Sequence, residues 1–189
     1  MEQANDRKPL LSGGDRSRRA MIPKGERLGL AAALLVGAAI VILGLWSWLQ
    51  LTPADWHSRH FKGSFQQDGS LARLALFVVL AHYVLLFVIK RFSAWLQLVK
   101  PLIIQLSRLA RKLHTPAAVI AIALIVLHAV GAFLYGIKLD FSNITGLLAL
   151  AALLPVPVSG LLRYRKLDRK WHLRCGLAFA VFFLIHAFL

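Results

Sequence analysis

The sequence predicts an all-α integral membrane protein, a bundle of five transmembrane helices. Hydrophobic residues make up 58% of the chain and charged residues only 16%, and the mean hydropathy is +0.65. Soluble domains carry about 25% charged residues, so this chain is too apolar for a water-soluble fold. Five apolar stretches, each long enough to cross a bilayer, predict the same fold class.

Span one is the uncharged run 28–51, which can cover a hydrocarbon core of about 30 Å at 1.5 Å per helical residue. Four further spans follow at 71–89, 113–137, 144–162 and 171–189. Each must be helical, because lipid offers no partner to open backbone groups. Pro155 and Pro157 interrupt span four, where we expect a kink.

The formal net charge of +15 would indicate nucleic-acid binding on a soluble surface. Here the basic residues flank apolar spans, so we expect membrane lipid and no nucleic acid as a partner. Of the 23 Lys and Arg residues, seven lie in 1–27, six in 90–112 and six in 163–174. Because such residues are retained in the cytoplasm, the five-span order predicts a cytoplasmic N-terminus and an outer C-terminus.

Residues 1–27 are predicted to be a disordered basic cytoplasmic tail, since they offer too little apolar surface to fold. Residues 28–189 form the membrane domain. Within it, the segment 101–112 has apolar residues at helical spacing on one side and basic residues on the opposite side. This pattern predicts a short amphipathic helix in the membrane interface. A lone Cys175 excludes an internal disulfide or a cysteine-based metal site. No internal repeat, nucleotide-binding glycine loop or catalytic Ser/His/Asp set is apparent.

Four histidines lie within the spans at a repeated spacing. Span three carries His114 and His128, and span five carries His172 and His186, so each contains H-x13-H. Fourteen residues make almost four helical turns, which places both histidines of a span on one face about 21 Å apart along the axis. The two spans run parallel, so His114 lies level with His172, and His128 with His186.

Two facing imidazoles at one depth are the axial ligand set of a six-coordinate haem b. The spacing therefore predicts two b haems, with iron held by the pairs His114/His172 and His128/His186. Zinc, copper and nickel sites gather three or four ligands, usually with Cys, Asp or Glu among them, and the spans offer no carboxylate near these histidines. Phe179 falls midway between the pairs, where we interpret it as core packing.

Three histidines stay outside this scheme. His82, near the middle of span two, has either a hydrogen-bonding or haem-edge role or a packing role, and haem ligation is less expected because two complete pairs already exist. His57 and His60 are expected in a solvated loop between spans one and two.

The same pattern resembles the ferric reductase-like transmembrane family, which includes ferric reductases and the membrane part of NADPH oxidases. The resemblance covers about 113–189 and rests on the four histidines, the run 144–150, Ser159 and Trp171. It implies that the four histidines ligate two b haems that pass electrons across the membrane. Span five is also similar to that of bacterial cytochromes b561, which have four spans and oxidise quinol.

Many members of the first family continue into a domain that binds FAD and NADPH, but no flavin or nicotinamide site is visible here. We therefore expect an oxidoreductase or electron-transfer component of the bacterial inner membrane, with a separate reductase or quinol as donor and an outer acceptor. The alternatives are a cytochrome b561-like quinol-oxidising subunit and a haem-free membrane anchor of a larger complex. A transporter is disfavoured, because no broken-helix motif or buried carboxylate is seen.

Overall fold

The structure is a computed structural model that describes residues 24–92, 97, 99–164 and 169–189. Every regular element within these ranges is an α-helix. The seven helices are α1 (Lys24–Leu49), α2 (Pro53–Trp56), α3 (Arg59–Phe92), α4 (Lys100–Tyr135), α5 (Phe141–Leu153), α6 (Pro155–Tyr164) and α7 (Arg169–Phe188). The all-helical prediction is confirmed for the described chain. Most of the predicted tail, residues 1–23, lies outside it.

Five helical stretches of the described chain are long and apolar enough to cross a membrane, as predicted. They are Arg27–Leu49, Arg59–Phe92, Lys100–Tyr135, Phe141–Gly160 and Lys170–Phe188. The fourth stretch joins α5 and α6, and the helix is interrupted at Leu154, directly before Pro155. Proline supplies no backbone N–H and crowds the preceding turn, so the interruption lies where the two prolines of span four predicted it.

Two helices are longer than the predicted spans. α3 has 34 residues and α4 has 36, so each measures about 50 Å and exceeds the hydrocarbon thickness by several turns. α3 begins at Arg59, within the predicted loop, and the segment 101–112 forms the first turns of α4 instead of a separate helix. Charged residues end an apolar run, and the predicted spans therefore end there. They do not end a helix, because helical hydrogen bonds are local and continue into polar surroundings.

The helices pack as two hairpins. One joins α3 with α4, and the other joins α5 and α6 with α7, while α1 packs along α4. Close backbone approach is extensive within each hairpin and sparse between the two. The hairpins meet in a central cluster of buried side chains, comprising Leu76, Ala121, Leu153, Phe179 and Phe183. Phe179 stacks on Phe183 with ring centres 5.9 Å apart, in agreement with its interpretation as core packing.

We name the two ends of the bundle by their residues. The aromatic end contains a second buried cluster of Trp48, Phe61, Phe65 and Leu127, and the basic end contains Lys90, Arg91 and Lys100. Gly131 of α4 lies against Phe65 and Trp48 so closely that a Cβ there would overlap the Phe65 side chain. The glycine therefore fixes how closely α3 approaches α4 at the aromatic end.

Short-range hydrogen bonds order the connections at the aromatic end. Thr52 and Asp55 form a capping box at the start of α2, and these hydrogen bonds hold the pKa of the Asp55 carboxyl below its usual value. Trp56 donates its indole N–H to the Trp48 carbonyl at 3.2 Å. Asp140 caps α5 by accepting the backbone N–H of Asn143 at 2.8 Å.

Candidate functional site

The structure brings the four span histidines together in two pairs. The ring centres of His114 and His172 lie 6.4 Å apart, and those of His128 and His186 lie 6.2 Å apart. All four side chains are half-buried. Within each pair one ring belongs to α4 and the other to α7, so both pairs bridge the two hairpins.

Each of the four imidazoles is oriented by a backbone carbonyl. The Nδ1 atom of His114 lies 3.1 Å from the Val79 oxygen, and that of His128 lies 2.8 Å from the Phe65 oxygen. The Nδ1 atom of His172 lies 3.2 Å from the Val156 oxygen, and that of His186 lies 2.9 Å from the Ser142 oxygen. Because a carbonyl can only accept, Nδ1 carries the proton and Nε2 keeps its lone pair.

This arrangement is the one that metal-ligating histidines adopt. Such histidines donate the N–H of one ring nitrogen to a carbonyl or carboxylate, which fixes the tautomer and the ring orientation and leaves the other nitrogen to bind the metal. Two imidazoles that share one metal ion through nitrogens at about 2 Å each have ring centres about 6 Å apart. The separations in both pairs match that requirement.

The two hairpins hold their histidines through carbonyls at the same sequence separation. The acceptors Phe65 and Val79 are fourteen residues apart, and so are Ser142 and Val156. Aligning 65–79 with 142–156 gives six identical positions in fifteen. They are Gly69/Gly146, Leu71/Leu148, Ala72/Ala149, Ala75/Ala152, Leu76/Leu153 and Val79/Val156. The prediction that the sequence contains no internal repeat is therefore wrong for the segments whose carbonyls hold the histidines.

The repeat is difficult to recognise in the sequence because the two histidine-bearing helices have few identical residues besides the histidines. Between 114–128 and 172–186 only the two histidines are identical. The loops also differ in length, so the offset between the hairpins is 77 residues for the acceptors and 58 for the histidines. The identical glycines and alanines of α3 and α5 are a sequence signal of the repeat, but the two segments can be aligned only once the acceptor carbonyls are known.

His82 occupies a different environment. Its Nδ1 atom lies 3.1 Å from the Ser107 carbonyl oxygen and 3.3 Å from the Ser107 hydroxyl, so it links α3 to α4. Its ring contacts Tyr83 edge-on, with centres 5.6 Å apart, and Tyr83 in turn contacts His114 at 5.9 Å. His82 therefore makes a hydrogen bond and packs between helices, and a role at the edge of a haem stays a prediction. The contact of Tyr83 with His114 was not predicted.

The two remaining histidines lie at the aromatic end. His57 has its Nδ1 atom 3.0 Å from the Pro53 carbonyl oxygen and stacks on Tyr135 with ring centres 6.4 Å apart. His60 lines an open surface groove together with Arg59, Gly63, Ser64 and Gln67. Neither belongs to the paired site.

Clusters suited to other metals do not appear in the parts of the chain that the structure describes. No group of three or more His, Cys, Asp or Glu side chains lies close enough there to hold a metal ion. Cys175 is half-buried and free. The histidines thus offer two separate pairs of nitrogen donors.

The fold and these pairs define a helical protein, compatible with multi-pass insertion in a membrane, that carries two bis-histidine sites between its helical hairpins. Neither a protein-family model nor a curated protein nor a solved structure matches this chain. What the chain does must therefore be argued from the geometry of these sites.

Proposed function

We propose that this protein is a ferric reductase-like di-haem b electron-transfer protein that passes electrons across a membrane. The observation that carries the proposal is the set of four Nδ1–carbonyl hydrogen bonds. They leave Nε2 as the donor atom of each ring, in pairs whose separation suits one metal ion. The same hydrogen bonds would also join helices without a cofactor, but that role would not require the four rings to face one another in two pairs.

The donor set fits haem b better than a bare metal ion. Two imidazoles complete the axial positions of a haem iron, because the macrocycle supplies the other four nitrogens. His114 and His172 would hold one haem, and His128 and His186 the other. Bound haem would supply reversible one-electron reduction of iron, while the protein sets its potential through ligand type, burial and hydrogen bonding.

The side chains between the two pairs support separate sites. The central cluster, which includes Leu76, Leu153 and Phe179, fills the bundle at the level between the pairs. The sites on either side of it lie about 21 Å apart along the helix axis. Each pair therefore ligates its own cofactor.

The charge distribution supports an orientation for the proposed transfer. Lys and Arg cluster at the basic end, which we place in the cytoplasm, so the aromatic end faces outward. The N-terminus is then cytoplasmic and the C-terminus lies outside, in a bacterial inner membrane. Electrons from a separate reductase or a quinol enter near His114 and His172, and an outer acceptor such as ferric iron, oxygen or a periplasmic protein receives them near His128 and His186.

Two alternatives share part of this geometry. A cytochrome b561-like quinol-oxidising subunit would use the same haems with quinol as its donor. A haem-free anchor subunit would use the histidine–carbonyl bonds only to join helices, as His82 does with Ser107.

Haem content separates the proposal from the anchor alternative. The full chain, purified in detergent from cells supplied with haem, is examined by reduced-minus-oxidised absorbance and by a pyridine haemochrome assay. We expect a low-spin spectrum and two b haems per chain. The double variant His114→Ala/His128→Ala is the negative control, because it removes one ligand from each pair. A folded wild-type protein without haem would contradict the proposal and favour the anchor.

A further inference from the structure

Each paired histidine reaches a backbone carbonyl within a helix, where access is restricted. Phe65 and Val79 lie inside α3, and Ser142 and Val156 lie in the first turns of α5 and α6. In an α-helix the carbonyl of residue i already accepts the N–H of residue i+4. It retains a second lone pair for another donor. However, the Cβ of residue i+4 tilts toward the helix N-terminus, and therefore toward the carbonyl of residue i. A side chain at i+4 thus crowds the approach of an imidazole.

Three of the four acceptor carbonyls are followed at i+4 by glycine. Phe65, Ser142 and Val156 precede Gly69, Gly146 and Gly160 by four residues. A Cβ on Gly69 would lie 2.6 Å from Nδ1 of His128. One on Gly146 would lie 2.9 Å from Cε1 of His186, whereas one on Gly160 would lie 3.4 Å from Cε1 of His172.

The fourth acceptor breaks the pattern. Four residues after Val79 stands Tyr83, whose ring meets the His114 ring edge-on. Hydrogen-bond lengths follow this difference. The two histidines at the tightest glycines have Nδ1–oxygen distances of 2.8 and 2.9 Å, and the other two have 3.1 and 3.2 Å.

We propose that Gly69 and Gly146 are positioning residues for the His128/His186 pair. The missing side chains let both imidazoles lie against their carbonyls, and these contacts turn Nε2 toward the shared iron. Gly160 leaves space at His172 that a methyl group can share, and at His114 Tyr83 takes the position of the glycine. The two iron sites therefore differ in how rigidly their ligands are held. The inference rests on the proposed haem function and assigns new residues to it.

The test compares alanine variants in the full-length, haem-loaded protein. Gly69→Ala and Gly146→Ala lie on different hairpins and act on different histidines of one pair. Gly63→Ala on α3 is the matched control, because a Cβ there meets nothing within 4 Å. Gly160→Ala tests whether the effect depends on how closely the added Cβ approaches the histidine ring, since at this position the contact would be close to an ordinary one.

Three readouts follow the ligands rather than activity: haem per chain, the low-spin ferric EPR signals, and the reduction potentials from spectroelectrochemical titration. We expect Gly69→Ala and Gly146→Ala each to lose up to half of the haem, or to alter the EPR signal and potential of one haem. The second haem stays unchanged and reports that the bundle has folded. Gly63→Ala and Gly160→Ala should match the wild type.

The outcomes separate this inference from the function on which it rests. Two haems in the wild type, with unchanged signals in both Gly69→Ala and Gly146→Ala, would overturn the inference alone. Equal disturbance of both haems in these variants would also overturn it, because the glycines would then act on the whole fold. A haem-free wild type would overturn the proposed function together with the inference.

Discussion

Each paired histidine uses its two ring nitrogens for different purposes. Nδ1 lies against a carbonyl of the neighbouring helix in the same hairpin, and in the proposed function Nε2 would bind the iron between the hairpins. An imidazole therefore joins three helices, two by contact and one through the proposed metal. Replacing it removes both a helix contact and a ligand, so the resulting loss should be local to one pair.

Single alanine replacements test the pairing. His128→Ala or His186→Ala should remove one haem and leave the other, because each ligates only its own pair, and His114→Ala or His172→Ala should remove the opposite one. Haem per chain should fall by about half in all four, and the remaining low-spin signal identifies which haem is left. His57→Ala, in the connection at the aromatic end, is the control. Loss of both haems in every variant would argue against independent pairs.

The sequence predicted these residues but not their surroundings. A fourteen-residue spacing in two parallel helices is enough to bring the histidines to matching depths. The acceptor carbonyls depend on how far α3 slides along α4, and that register is set by side-chain packing such as Phe65 against Gly131. Tyr83 was missed for the same reason, since its contact with His114 crosses from α3 to α4.

At the scale of elements, the two hairpins are also joined outside the histidine pairs. Arg73 of α3 donates a hydrogen bond from its guanidinium to the Ala187 carbonyl in the last turn of α7, at 3.2 Å. The same guanidinium lies over the Phe188 ring, 5.8 Å from its centre. A cation at this position also interacts favourably with the negative end of the helix dipole. Arg73 therefore holds α7 against α3 at the aromatic end.

Removing this link should loosen the docking of the second hairpin. Arg73→Gln shortens the side chain and removes its charge, so the hydrogen bond is lost, at a cost of about 1 kcal/mol for a half-buried charged donor. We expect a lower thermal unfolding midpoint in detergent, followed by circular dichroism. Lys90→Gln, an exposed change at the other end of α3, is the matched control. Equal midpoints for the two variants would show that Arg73 does not join the hairpins.

Element type was predictable while element length was not. Apolar composition predicted five helices that are long and apolar enough to cross a membrane, and prolines predicted the interruption between α5 and α6. Residues 59–70 and 101–112 are polar or amphipathic, so composition separated them from the spans, whereas the backbone continues through them as α3 and α4. Hydropathy reports where lipid contact is favourable, and it carries little information on where hydrogen bonding stops.

For the whole molecule, the two hairpins contribute equivalent residues to the central cluster. Leu76 and Leu153 occupy equivalent positions and are both buried in that cluster. Ala121 and Phe179 are also equivalent, each seven residues after the first histidine of its helix, and they combine a small with a large side chain. At this second pair of positions the small side chain of one hairpin complements the large side chain of the other.

The orientation can be tested independently of haem. A reporter enzyme that is active only outside the cytoplasm, fused after Leu189, should be active, and the same reporter within the connection between α3 and α4 should be inactive. The reason is the concentration of Lys and Arg in 1–27, 90–112 and 163–174, which favours retention in the cytoplasm. A reporter active in the cytoplasm gives the complementary pattern. Reversed activities would invert the proposed direction of transfer.

The central cluster also has an electrical consequence. Leu76, Leu153, Phe179 and Phe183 offer no group that can take up a proton, so charge crossing this layer in the proposed function crosses as electrons alone. The membrane potential then acts on each electron with about 2.3 kcal/mol per 100 mV for a full crossing. With the cytoplasm negative, this voltage favours outward transfer. The energised state of the cell would thereby help to drive a reaction for which donor and acceptor potentials alone are insufficient.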